Sequence, residues 1–133
     1  MTADGGSAAA HGVPVWRAVH RESGRTVAER VLAARTFMTR ARGWIGRRPE
    51  RGEGLWLPRC VWIHTAGLRA AVDVIWCGPH GLILRVDRSL SPWRMAAARG
   101  AESVCEVSDG DAIGLLPGDH LDFVIGDIMS YGG

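Results

Sequence analysis

The stretch RCVWIHTAGLRAAVDVIWC, residues 59–77, sets His64, Thr65, Arg69 and Asp73 inside or between two apolar runs. A charged group in an apolar strand needs a partner or a purpose. His64 and Asp73 could act as an acid–base pair. Arg69 could anchor an anionic ligand or hold the carboxylate by charge-assisted hydrogen bonds. Glu106, in SVCEV, adds a second carboxylate that Arg69 or Arg94 could meet, which would gather these groups into one polar cluster. The structural alternative is that Asp73 serves an ion pair or accepts backbone N–H groups at a turn. That alternative is favoured, because structural networks also perturb ionisable groups.

Other reactive constellations fare worse. A triad of Cys60, His64 and Asp73 would have nucleophile, base and orienter. In an extended strand, however, four residues span ~13 Å, and free cysteine is usually a small buried hydrophobe. A metal site from His64, Asp73, Cys77 and His80 lacks zinc-like spacing, so neither a metal site nor a cofactor is assigned. Arg35, Arg40, Arg42, Arg47, Arg48 and Arg51 surround Trp44 with only Glu50 opposing them. Such a segment could touch phosphates and stack a base, but a solvated outer face is preferred. Gly118 and Asp119 read as a turn device, with Gly118 in unusual backbone angles and Asp119 bonding neighbouring N–H groups.

These groups must be held by a single small domain. The chain has 133 residues and is 47% hydrophobic, enough to build a core and too apolar for disorder. Net charge is only +2, too small to imply an acidic partner, and all 16 basic residues are arginine, a uniform bias that carries no functional signal. Three cysteines without CxxC spacing point to a reducing compartment. No run approaches the ~18 apolar residues of a membrane span, and the first residues lack the pattern of a signal peptide. A cytoplasmic protein is expected.

Alternation and turn residues place strands at VPVWRAVH, RTVAERVLAA (which a short helix would also fit), GLWLP, CVWIHT, AVDVIWC, LILRVDRSL, ESVCEV and HLDFVI. In AVDVIWC, Asp73 shares a face with Ala71, Ile75 and Cys77, which predicts half burial. In the next strand, Leu82, Leu84 and Val86 are expected on one face. SPWRMAAARGA reads as a loop. One short helix is expected near residues 37–46, with Phe37, Ala41 and Trp44 inward. The sum is a mostly β (α+β) fold: a small closed or partly open β-barrel of about six to eight strands. Residues 1–12 read as a flexible tail, 13–126 as the domain and 127–133 as a loose end.

The ordered set Arg40-x-x-Gly43-x-x-Gly46-Arg47, His64-Thr65-x-x-Leu68-Arg69-x-x-x-Asp73, Glu106 and Gly118-Asp119 resembles the prokaryotic family catalogued as domain of unknown function 192. The resemblance covers about residues 33–124. It implies a small β-barrel-like fold with a short helix near its start, and no established reaction. Ala70-Ala71 stand where that family usually has an aromatic residue and a proline. The leading expectation is a small, monomeric, non-enzymatic binding or accessory module with a polar cleft near His64, Thr65, Arg69, Asp73 and Glu106. Its partner would be a small molecule or a protein. A hydrolase-like enzyme using His64 and Asp73 is one alternative. A nucleic-acid-associated protein using residues 35–51 is the other.

Overall fold

The computed structural model describes residues 12–33 and 48–130. Nine strands follow in order: β1 (Gly12–His20), β2 (Thr26–Ala33), β3 (Glu53–Pro58), β4 (Trp62–His64), β5 (Val72–Cys77), β6 (Ile83–Leu90), β7 (Met95–Ala97), β8 (Ser103–Ser108) and β9 (Leu121–Ser130). The protein is mostly β. Among the described residues the single helical element is a 3-10 turn, Pro79–Gly81. The expected helix at 37–46, with Arg40, Gly43, Gly46 and Arg47, lies outside the described residues.

Seven strands form the main sheet in the order β6-β5-β8-β3-β2-β1-β9, and β4 pairs with β7 in a second, two-stranded sheet. Among the described residues only β2 and β3 run parallel; the other ladders are antiparallel. Parallel neighbours require a crossover connection rather than a tight hairpin.

The main sheet does not close into a barrel. Its two ends, β6 and β9, share no ladder, and an isolated bridge between Leu82 and His120 brings them together at one end. The Ile83 N–H donates to the Asp119 carbonyl there, at 2.8 Å. Gly81 sits at this junction with φ +78°, and a Cβ on it would lie 2.3 Å from the Leu121 carbonyl oxygen.

Both faces of the main sheet are covered, which explains why all of β5 is buried. One face gathers Ala18, Val31, Ile75, Cys77, Ile83, Cys105, Val107 and Leu121, with Trp16, Trp56 and Phe123 packed against them. Trp56 stacks on Phe123, with ring centroids 4.4 Å apart, and meets the edge of Trp16 at 5.9 Å. The other face gathers Leu55, Val72, Val74, Trp76 and Val104 beneath Ile63, Leu68, Ala98 and Ala101. Burying each such large side chain contributes roughly 1.5–3 kcal/mol, so the small sheet is fastened chiefly by Ile63 and its neighbours.

Three expectations need correction. Leu82, Leu84 and Val86 do not line one face. The β5–β6 register jumps from Trp76↔Arg85 to Cys77↔Ile83, and this bulge sends Leu84 to the face of Trp76 while Ile83 and Val86 join the opposite core. The segment SPWRMAAARGA is not wholly loop, because Met95–Ala97 pairs with β4. Residues 127–130, expected in a loose end, continue β9, which stays paired with β1 through Ser130.

Candidate functional site

The small sheet is amphipathic. Its register pairs Trp62 with Ala97, Ile63 with Ala96 and His64 with Met95. Alternation turns Ile63 and Ala96 toward the core and leaves Trp62, His64, Met95 and Ala97 on the outer face. Trp62 is 53% exposed and Met95 74%, values at which a large apolar side chain contributes little to folding. Trp93, just before β7, is 76% exposed. Its φ of +64° is an unfavourable angle for a bulky residue.

Thr65 explains how that loop is held. Its hydroxyl is fully buried, donates to the Ser91 carbonyl at 2.6 Å and accepts the Arg94 N–H at 2.9 Å. Its own N–H donates to the Arg94 carbonyl at 2.8 Å, and its carbonyl accepts the Trp93 N–H at 3.2 Å. These bonds tie the Trp93–Arg94 backbone to Thr65, just after β4. His64 is half-buried, 6.0 Å from the Trp62 ring between centroids. The Ala66 N–H donates to its Nδ1 at 3.3 Å, so a neutral ring carries its proton on Nε2. Arg69 is exposed on the following turn and makes no hydrogen bond or ion pair with another described residue. Arg59, Arg94 and Arg99 are exposed nearby, and neither 59–69 nor 91–99 contains an acid.

Asp73 belongs elsewhere. It is 1% exposed, not half-buried, and its carboxylate accepts three backbone N–H groups: Ser89 at 2.9 Å, Gly110 at 3.0 Å and Ala112 at 3.0 Å. Its register partner on β8 is Val107, on the face of Ile75 and Cys77. Glu106, also fully buried, pairs with Val74 and Leu55 and so faces the opposite way. His64 rides on the small sheet, which covers the Glu106 face. Adjacent positions of one strand cannot share a face, so Asp73 and Glu106 do not meet, and Asp73 is separated from His64 by the main sheet. The acid–base pair and the Cys60 triad therefore have no geometry. The Cys60 thiol contacts the Trp62 carbonyl at 2.9 Å, while burial pushes the Cys77 thiol up to about 12 and raises Cys105 as well.

A second polar group forms where the sheet ends approach. Gly118 adopts φ +97°, and Asp119 Oδ2 accepts the Leu116 N–H at 3.2 Å. The same oxygen lies 2.9 Å from His20 Nε2. Glu22 binds His120 through Oε2 to Nδ1 at 2.6 Å, and this contact holds the Glu22 carboxyl down to about 2. Arg21 forks onto Asp122, which lowers that carboxyl below its ordinary value. Of these residues, only Asp119 stands out in the sequence; His20 lies 99 positions away, and no local spacing announces their meeting.

A mostly β module with an exposed aromatic face, and no converging catalytic groups among the described residues, is the class of protein these features define. The chain matches no protein-family model and no curated protein. It is similar to two solved structures. One, from Sinorhizobium meliloti 1021, is described as a "putative transcription regulator"; it shares 22% identity over 83% of this chain and 92% of its own, with a TM-score of 0.68. The other, from Novosphingobium aromaticivorans DSM 12444, is described as a protein of unknown function; it shares 23% identity over 84% of each chain, with a TM-score of 0.66. At these identities the likeness concerns the fold.

Proposed function

We propose that the protein is a non-catalytic binding module that docks an acidic peptide segment carrying an apolar anchor. The docking surface is the outer face of β4 and β7. One observation carries this reading: Trp62 and Met95 are exposed on the two-stranded sheet and Trp93 in the loop just before β7, while Arg59, Arg69, Arg94 and Arg99 are exposed in the same two segments, 59–69 and 91–99, which contain no acid. Exposed aromatic anchors with arginine at the rim suit protein recognition, and the uniform charge selects an acidic partner. The expected polar cleft is thereby replaced by a face: His64 and Arg69 contribute to it, Thr65 shapes it, and Asp73 and Glu106 belong to the core.

The ordered motif His64-Thr65…Arg69…Asp73, with Glu106 and Gly118-Asp119, supports placing the chain as a divergent relative of the domain of unknown function 192 family. Three free cysteines fit a reducing cytoplasm. No helix among the described residues is long and apolar enough to cross a membrane.

The test is an array of acidic peptides, each with one Leu or Phe, read by tryptophan fluorescence at low salt. Binding that weakens with salt and is lost in Trp62→Ser and Trp93→Ser is expected. Binding of single-stranded oligonucleotides in preference to every peptide would reject the peptide reading. Self-association abolished by Trp93→Ser would likewise reject it, assigning the face to a second copy of the chain.

A further inference from the structure

Three donor atoms converge at the junction of the sheet ends: His20 Nε2, a Glu22 carboxylate oxygen and an Asp119 carboxylate oxygen all lie within 4.8 Å of one another. His20 ends β1, Glu22 lies in the β1–β2 turn, and Asp119 precedes β9. We infer that His20, Glu22 and Asp119 form a binding site for a divalent first-row transition-metal ion of the zinc type.

The geometry suits a small ion. His20 Nε2 is 2.9 Å from Asp119 Oδ2 and 3.6 Å from Glu22 Oε1. Tetrahedral zinc with ligand bonds of about 2.0–2.2 Å sets neighbouring donors about 3.4 Å apart. The Asp119 contact must lengthen by about half an ångström, while the Glu22 contact already fits. The imidazole is aimed from behind: His20 is 9% exposed, and its Nδ1 lies 2.7 Å from Ser23 Oγ. A ligand histidine held by its other ring nitrogen keeps one tautomer and one orientation. Glu22 is likewise restrained, since His120 contacts it with both its backbone N–H, at 2.8 Å, and its ring Nδ1, at 2.6 Å. The backbone is fixed as well, by the Arg21 N–H donating to the His120 carbonyl at 2.9 Å and by the hairpin bond from Gly24 N–H to the His20 carbonyl at 2.8 Å.

Charge and access agree with this assignment. The two carboxylates face the His20 imidazole, with the His120 ring behind Glu22, whereas the neighbouring cation, Arg21, is committed to Asp122 at 2.8 Å and to the His80 carbonyl at 3.1 Å. The side chains of Glu22 and Asp119 are 41% and 24% exposed, so an ion can enter from solvent and meet the buried nitrogen last. A nitrogen donor beside carboxylates favours zinc-type ions over calcium or magnesium, which prefer oxygen alone. Bound there, the ion would join the β1–β2 turn to the start of β9, beside the Leu82–His120 bridge.

The experiment is isothermal titration of the EDTA-treated full chain with Zn²⁺, repeated with Co²⁺ for its visible absorption. One ion per chain is expected, with affinity reduced at least about tenfold in Glu22→Gln and in Asp119→Asn. Glu22 is exposed, so Glu22→Gln decides the question even if Asp119→Asn fails to fold; circular dichroism checks both. Absence of saturable binding would overturn the inference. So would unchanged affinity in Glu22→Gln, or a thiolate-to-Co²⁺ charge-transfer band placing the ion on a cysteine.

Discussion

Asp73→Asn should unfold this protein well before the wild type, and the reason lies in three hydrogen bonds. Oδ1 of Asp73 accepts Ser89 N–H, while Oδ2 accepts Gly110 N–H and Ala112 N–H. The carboxylate therefore ties β5 both to the end of β6 and to the loop after β8. Asparagine offers one acceptor. Its best placement keeps the Gly110 and Ala112 bonds and turns an amide NH₂ against Ser89 N–H, donor against donor. Because Ser89 is exposed, stranding its N–H costs about 1 kcal/mol, the low end of the penalty for an unsatisfied group, and the two retained bonds each weaken by about 1 kcal/mol once the acceptor is neutral. The sum is about 3 kcal/mol, a large share of a typical domain's stability of roughly 5–15 kcal/mol. At about 3–5 °C per kcal/mol for a domain of this size, Tm should fall by roughly 10–15 °C in a thermal melt. The loop retains other anchors, because Arg88 donates to the Ala112 and Leu115 carbonyls and Arg25 to the Ile113 carbonyl. Hydrogen exchange should accordingly quicken most at Ser89, Gly110 and Ala112. Arg69→Ala should change stability by no more than about 0.5 kcal/mol, as an exposed residue does. A shift below about 2 °C in Asp73→Asn, or an equal loss in Arg69→Ala, would refute the argument and restore an ion pair as the role of Asp73.

Three further outcomes follow from the same structure. Thr65→Val removes a hydroxyl of matched shape and strands the Arg94 N–H and Ser91 carbonyl; it should cost about 1–3 kcal/mol and shift the Trp93 fluorescence emission, whereas an unchanged emission would show that Thr65 does not hold that loop. Cys60 should react with iodoacetamide in the native protein at pH 8, while Cys77 and Cys105 should need denaturant. The Cys77 thiol titrates at 9.0 when unperturbed and at about 12 when folded. Its contribution is thus fully present below pH 9 and lost as pH rises toward 12, at about 1.4 kcal/mol per pH unit. Cys77→Ala should flatten that alkaline decline in a urea titration.

Local signals were enough for much of the architecture. Period-two alternation and Gly turns mark β1, β2, β3, β5, β6, β8 and β9, because a strand's two faces and its ends depend on adjacent residues. Asp73 was legible as a polar anomaly needing structural partners, though it was expected half-buried; of the two structural readings, an ion pair such as one with Arg69 or acceptance of backbone N–H groups, the geometry has the second. The short strand β7 was hidden, since Met95, Ala96 and Ala97 show no alternation when the outer face is itself apolar. The bulge at Leu84 was hidden too, because one extra residue reverses facing without changing composition.

The sequence by itself determined most of the strand segments, that the chain is mostly β and that Asp73 needed partners. Only the tertiary structure decided which polar groups meet. Asp73 and Glu106 appear in one motif set, yet the β5–β8 register turns them to opposite faces. His20 and Asp119 lie 99 positions apart, yet their side chains touch because the main sheet brings its ends together at the Leu82–His120 bridge. The physical reason is that a pleat is written into neighbouring residues, whereas strand order and register are set by cooperative burial over the whole sheet.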